Sequence, residues 1–231
     1  MNGSALGSQF LSIQSTESLS YMINKIRPHR IFDLVPAEEK SAVICLPQKK
    51  SLTSMLERGI LLSLAKAVKP QRIFEFGTYL GETTFMLAEN TEAEVFTLDL
   101  GESYDSPQLD NFEKNNLAQH RSNQKQWEIR ECGKRVTQLL GDSTLFDFSS
   151  YHGSIQFVLI DGGHQTEVVI KDTENALALL DRSKPGCVIW HDYNNPHYEI
   201  TQYLDGLSES LKLFYIEETK YVVYFNEHFP F

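Results

Sequence analysis

Cysteine is scarce. Cys45, Cys132 and Cys187 are the three in 231 residues, odd in number and too far apart for a disulfide framework or a paired-thiolate zinc site. Such usage fits a reducing compartment, and a cytoplasmic location is the expectation. Long apolar runs are also missing: none approaches the roughly 18 residues of a membrane span. The opening Met-Asn-Gly-Ser-Ala-Leu-Gly-Ser lacks the charged and apolar regions of a signal peptide. Positive charge is in deficit, with 21 Lys and Arg against 31 Asp and Glu for a net charge of −10. Phosphate backbones are held by clustered cations, so this balance argues against nucleic acid as a main partner. Internal repeats and low-complexity tracts are absent, and a chain of this length buries one good core.

What is present is alternation. Strand candidates at Arg72–Phe76, Glu94–Leu100, Val136–Leu140, Ile155–Ile160 and Gly186–His191 are separated by helical stretches. The clearest helix is Thr166–Leu180, where Val169, Ile170, Thr173, Ala176, Leu177 and Leu180 recur at three- and four-residue spacing. Ser51 to Val68 reads as another helix, stopped by Pro70. Alternation of this kind predicts an α/β fold, a doubly wound parallel sheet with helices on both faces. Near the end, Lys212–Glu217 and Tyr221–Phe225 are joined by three residues, too few for a parallel crossover, so they predict an antiparallel hairpin. The expectation is a mostly parallel seven-stranded sheet with a reversed C-terminal strand. Residues 51–231 form the main domain and residues 1–50 an N-terminal helical arm or lid.

The segment Arg-Ile-Phe-Glu-Phe-Gly-Thr-Tyr-Leu-Gly (72–81) carries the chemistry of the first turn. A strand runs through Glu75 into Gly77 and Gly81, followed by a helix-like stretch, and the next strand ends on Asp99. Gly77 permits a tight turn and Gly81 a close backbone approach, while a carboxylate at the end of the next strand can hold two ribose hydroxyls. The spacing is Gly-x-x-x-Gly, with Tyr79 where a dinucleotide fingerprint has its middle glycine. A nucleoside without a pyrophosphate fits better, which points to S-adenosylmethionine.

Asp142 and Asp161 follow the next two strands, so with Asp99 three acidic residues end three successive strands. Open α/β sheets collect ligands at that edge. Asp161-Gly-Gly-His164 and His191-Asp192 form a second constellation. Adjacent strands lie about 4.8 Å apart, so Asp161 and Asp192 on neighbouring strands would flank room for one cation. Two carboxylates that close repel unless a proton or metal lies between them, and oxygen ligands favour a hard ion such as Mg2+. His164 would then reach a substrate hydroxyl, although it could equally cap the following helix. His191 is read as a third ligand or as a buried strand-end residue. A facial triad of His164, His191 and a carboxylate for iron is a further option. Tyr79, Tyr104, Trp127 and Tyr193 fall in loops on this edge, Tyr104 and Trp127 as substrate contacts, whereas Trp190 reads as core.

Residues 72–193 resemble the class I S-adenosylmethionine-dependent methyltransferases, most closely the group that includes the macrocin and mycinamicin sugar O-methyltransferases and cephalosporin-hydroxylase-like proteins. The matching phrases are Phe-Glu-Phe-Gly-Thr-Tyr-Leu-Gly-Glu-Thr-Thr (74–84), Ile-Asp-Gly-Gly-His (160–164) and Pro-Gly-Cys-Val-Ile-Trp-His-Asp-Tyr (185–193). The resemblance implies a cofactor turn at Glu75, Gly77, Thr78, Tyr79, Gly81 and Thr83, with Asp99 on the ribose and Asp142 and Ser143 by the adenine. It implies metal carboxylates at Asp161 and Asp192, Asp161 also touching the cofactor, and His164 as general base. Some sugar-modifying members have glutamate where this chain has His191, and the asparagine of catechol-type members is Tyr193 here. The expected reaction is methyl transfer to a hydroxyl of a small molecule, with a divalent metal. The alternatives are a metal-independent N-methyltransferase, a non-catalytic cofactor-binding protein, and a metal-dependent hydrolase or oxygenase. Apolar residues in the N-terminal arm make a homodimer a further expectation. Residues 10–50 and 101–135 are expected to shape the acceptor pocket and carry no recognisable signature.

Overall fold

The computed structural model describes residues 25–35, 53–100, 114–115 and 125–230. Most of the expected arm, with Cys45, and most of residues 101–135, with Tyr104, lie outside them. Eight strands form one sheet: β1 (Pro28–His29), β2 (Arg72–Phe76), β3 (Glu94–Asp99), β4 (Val136–Leu140), β5 (Phe157–Ile160), β6 (Cys187–Trp190), β7 (Leu213–Ile216) and β8 (Val222–Phe225). Their spatial order is β1-β7-β8-β6-β5-β2-β3-β4. Only β8 is reversed, antiparallel to both β6 and β7. The predicted hairpin is therefore present, and it inserts β8 beside β6 rather than at the sheet edge.

The eighth strand was not expected. Within the stretch expected as a helical arm or lid, Pro28 and His29 pair in parallel with Tyr215 and Ile216, and a short helix α1 (Ile31–Leu34) follows. Two residues carry no periodicity to read. Proline is acceptable there because an edge strand leaves one side of its backbone unpaired.

The central strands are buried on both faces, which is why they read as nearly unbroken apolar runs. Alternate side chains serve two cores. Ile73, Phe157, Leu159 and Ile189 join the layer of α2 (Met55–Val68) and α3 (Glu82–Asn90). Phe74, Phe76, Val158, Ile160 and Trp190 join that of α4 (Thr166–Leu179) and α5 (Ile200–Leu207). Helix α2 begins on a capping box: the Ser54 hydroxyl accepts from the Glu57 amide, and the Glu57 carboxylate accepts from the Ser54 amide. It ends at Lys69 in the left-handed conformation, just before Pro70.

The chain leaves β2 in one direction to β3 and β4, then returns to build β5 and β6 on the other side. The strand order thus reverses between β2 and β5, and the crevice at their carboxyl ends is where such sheets bind ligands.

Candidate active site

Gly77 stands at that reversal. Its φ is +93°, and a Cβ there would lie 2.2 Å from the Asp161 carbonyl oxygen. Its own N–H donates to the Leu98 carbonyl (2.8 Å), so this one residue is wedged among the tips of three strands. Gly81, with φ +74°, precedes α3; a Cβ on it would lie 1.9 Å from a ring carbon of Trp127. Trp127 is therefore buried core wedged under the turn, not a surface for substrate. Lys125 reinforces the same turn by donating Nζ–H to the Tyr79 carbonyl. Asp99 accepts from the amides of Tyr79 (2.7 Å) and Leu100 (2.8 Å), which aims its carboxylate beside the turn. Asp142 accepts from the amide and hydroxyl of Thr144 at 2.9 and 2.7 Å.

A cavity of about 300 Å3 runs along this edge. The residues expected at the cofactor turn and in the carboxylate–histidine cluster line it: Glu75, Gly77, Thr78, Tyr79, Gly81, Thr83, Asp99, Asp142, Ser143, Asp161, His164, His191 and Asp192. Tyr193 does not; its ring is fully buried and its hydroxyl donates to Asp205 at 2.8 Å.

The register Ile160↔Trp190 brings Asp161 beside His191, with Asp192 one residue further on. Ligand atoms of Asp161, His191 and Asp192 fall within 4.8 Å of one another. His191 Nδ1 is 3.0 Å from Asp161 Oδ1 and 3.4 Å from Asp192 Oδ2, while Nε2 is 3.4 Å from Glu57 Oε1. Neither ring nitrogen makes an aligned hydrogen bond. Burial opposes a charged imidazole, but Asp161 and then Asp192 and Glu57 outweigh it and raise the His191 pKa well above the ordinary value. Asp192 has φ +64°, a left-handed conformation that aspartate tolerates better than most residues. Burial works against its charge too, yet His164 and His191 hold its pKa far below the usual carboxylate range. His164 Nε2 is 3.0 Å from Asp192 Oδ2, and its ring stacks on Tyr198 with centroids 4.1 Å apart and planes 7° from parallel.

A methyltransferase domain is the family whose pattern matches this chain, over residues 74–193. The chain belongs to that family. The matched span runs from within β2 to just after β6 and supplies most of the cavity lining. With a parallel sheet and one reversed strand, the protein is a class I S-adenosylmethionine-dependent methyltransferase. No curated protein sequence matches it. Among solved structures it is similar to a proposed caffeoyl-CoA O-methyltransferase from Staphylococcus aureus, at 15% identity over 76% of this chain and 84% of that one, TM-score 0.51. It is also similar to the O-methyltransferase TomG from Streptomyces achromogenes, solved with S-adenosylmethionine (16%, 94% and 92%, TM-score 0.49). A Podospora anserina methyltransferase bound to S-adenosylhomocysteine is a third (17%, 96% and 99%, TM-score 0.47). At this identity the likeness concerns the fold alone.

Glu57, Lys220 and Asn195, which carry no signal of a site in sequence, also contact the cluster. Glu57 joins three elements: it caps α2, approaches His191, and accepts the Lys220 amide of the β7–β8 hairpin at 3.0 Å. His191 and Ser54 overcome the effect of burial and bring its pKa down to about 2. Its capping-box spacing was visible in sequence, but its contact with His191 was not. Lys220 Nζ lies 3.4 Å from Asp192, and Asn195 donates to the same oxygen at 2.8 Å.

Glu75 has a more internal place than a cofactor contact alone would give it. It is 1% exposed and accepts from the Thr84 hydroxyl and, at 2.7 Å, the Thr97 hydroxyl. Burial raises its pKa from 4.5 to about 8; Asp161 and Asp99 add to the rise, and the two threonines oppose it. The folded protein then keeps a proton that the unfolded chain releases between those values. Stability is full below pH 4.5 and falls as pH climbs toward 8, by at most about 1.4 kcal/mol per pH unit. Glu75→Gln is expected to lose less stability than wild type between pH 5 and 8 in denaturant melts. Equal losses in the two proteins would refute the assignment.

Proposed function

We propose that this methyltransferase transfers the methyl group of S-adenosylmethionine to a hydroxyl oxygen of a small molecule, assisted by a divalent metal. The observation that carries the reading is the sharing of one cavity by the Gly77 turn and the Asp161–His164–His191–Asp192 cluster. A nucleoside fits the turn, with Asp99 toward the ribose hydroxyls and Asp142 and Ser143 toward the base. The acceptor hydroxyl then approaches the sulfonium methyl from the His164 side.

In the transfer, a lone pair on the acceptor oxygen forms the new C–O bond as the C–S bond breaks, and the sulfonium becomes a neutral thioether. Holding the three atoms in line is the main contribution of the protein. The hydroxyl proton passes to His164. Asp192 accepts from Nε2 of that ring, which makes Nδ1 the proton acceptor and stabilises the imidazolium that forms. Stacking on Tyr198 limits rotation of the ring.

Two carboxylates and an imidazole with unsatisfied buried nitrogens fit a divalent ion, which Asp161, Asp192 and His191 would hold. A bound cation supplies charge that lowers the pKa of a neighbouring hydroxyl. One observation favours a second, metal-independent reading. His191 lies within 3.0 to 3.4 Å of three carboxylates and, when protonated, balances them itself.

A screen of hydroxylated metabolites, sugars and phenols with added Mg2+, read by S-adenosylhomocysteine release, tests the reaction and finds the acceptor. On that acceptor, EDTA is expected to cut wild-type turnover at least about tenfold, with Mg2+ restoring it. Asp192→Ala is expected to lose about 100-fold or more and to ignore EDTA. Turnover that is indifferent to EDTA removes the metal from the proposal and leaves methyl transfer with a protonated His191.

A further inference from the structure

His191 brings a nitrogen donor to a group whose other two members, Asp161 and Asp192, offer only oxygen. It is 6% exposed, and neither ring nitrogen makes an aligned hydrogen bond. A buried polar atom in that state carries an uncompensated desolvation cost, and a ligand that binds it recovers the cost. The ring is held in place. The His191 amide donates to the Ile160 carbonyl at 3.1 Å, and the fully buried Tyr221 ring packs against the imidazole with centroids 5.1 Å apart.

The donors are spaced like ligands around one ion. Nδ1 lies 3.0 Å from Asp161 Oδ1 and 3.4 Å from Asp192 Oδ2. Two atoms each about 2.1 Å from a common centre are about 3.0 Å apart at a right angle and about 3.4 Å apart at the tetrahedral angle. Asn195 (2.8 Å) and Lys220 (3.4 Å) take the other oxygen of Asp192, so Oδ2 is the one turned toward His164 and His191. The Asp161 side chain is 24% exposed and opens the group to the cavity. On the far side of the ring, Nε2 lies 3.4 Å from Glu57 Oε1. A carboxylate there favours the tautomer with its proton on Nε2 and leaves Nδ1 to the ion. Glu57 is itself anchored by the amides of Ser54 (2.8 Å) and Lys220 (3.0 Å).

We propose that His191, positioned by Glu57, makes the proposed metal site selective for a transition-metal ion over Mg2+. The inference rests on the proposed metal site and names the class of ion that fills it first. Mg2+ takes oxygen ligands and sheds its water reluctantly, whereas imidazole nitrogen suits Fe2+, Co2+, Ni2+ and Zn2+. An ion of that class gains a bond to Nδ1. Mg2+ gains little there and leaves the buried nitrogen unmet. The two carboxylates still attract Mg2+, so Mg2+ at high concentration supports turnover while a scarce transition ion occupies the site ahead of it.

Calorimetric titration of the chelator-stripped full chain with Co2+ alone and with Mg2+ alone tests this. Wild type is expected to bind Co2+ at least about 100-fold more tightly than Mg2+. His191→Asn sets an amide oxygen near the place of Nδ1. It is expected to lose about 10- to 100-fold in Co2+ affinity, to hold Mg2+ within a few-fold, and to move the Co2+ visible absorption to longer wavelength as nitrogen leaves the ligand set. Glu57→Gln keeps a residue suited to the capping box and is expected to weaken Co2+ at least about tenfold. Thermal melts without metal establish that each variant is folded; the wild-type ratio and Glu57→Gln test the proposal even if His191→Asn does not fold. A folded His191→Asn with the wild-type affinity ratio and absorption band would show that His191 is not the selecting ligand, and the inference is then wrong. Unchanged Co2+ affinity in Glu57→Gln would refute the positioning role of Glu57. If wild type binds the two ions within about threefold of each other, the inference is wrong while the metal reading stands. If wild type binds neither, the metal site fails and takes the inference with it, and methyl transfer with a protonated His191 remains.

Discussion

His164→Ala is expected to lower kcat by about 100- to 10,000-fold, the range a positioned general base contributes. Donor affinity measured with S-adenosylhomocysteine should stay within about twofold, because the ring lies with Asp192 and Tyr198 and not with the glycine turn. The wild-type rate should fall toward acid pH as the imidazole becomes protonated, and the variant should lack that limb. A residual rate within threefold of wild type, or an unchanged pH profile, would remove His164 from the chemistry and leave it as a stacking partner of Tyr198.

Gly77→Ala is expected to be severely damaging for the addition of a single methyl group. The added carbon would meet the Asp161 carbonyl oxygen at 2.2 Å, and the φ of +93° is one that L-residues rarely adopt. Strain and overpacking together predict a loss of about 2–6 kcal/mol of stability. The tips of β2 and β5 must part to accept the methyl, so S-adenosylhomocysteine affinity should drop at least about 100-fold. Gly153→Ala is the control. It also has positive φ, at +63°, but nothing lies within 4 Å, so only conformational strain of about 1–2 kcal/mol is expected. Denaturant melts and calorimetry on both variants measure the contrast. Equal effects would mean that φ alone matters at Gly77 and that the close approach to Asp161 does not.

The parts of this protein that were legible in sequence share a physical cause. Strands buried on both faces must be apolar throughout, so β2, β5 and β6 stood out, and the ends predicted for them lay within two residues of the observed ones. A strand that ends at a ligand-binding edge stops at a residue with special backbone or chemistry. This is why Gly77, Asp99, Asp161 and Asp192 could be picked out and why they line one cavity. Where the signal was only an aromatic residue in a loop, the outcome was mixed, and Tyr79 lines the cavity. Trp127 and Tyr193 were placed at the open edge as aromatics near the site. Trp127 instead fills the space that Gly81 leaves, and Tyr193 packs inside with its hydroxyl on Asp205. Helix α4 shows the limit of periodicity: Ile170 was counted on the apolar side and is exposed, whereas Asp172, a charge two residues on, is almost fully buried.

Chain order and spacing alone determined the α/β architecture, the reversed strand, the cofactor turn and the membership of the carboxylate–histidine cluster, because each depends on local backbone geometry or on the register of adjacent strands. Tertiary packing decided what those residues touch. It set Glu57 and Lys220 against His191 and Asp192 from elements more than twenty residues away, and it buried Asp172 beside Asp142 and Ser143. Burial and charge are properties of a filled three-dimensional environment, and they assign protonation and pairing only once the elements have met.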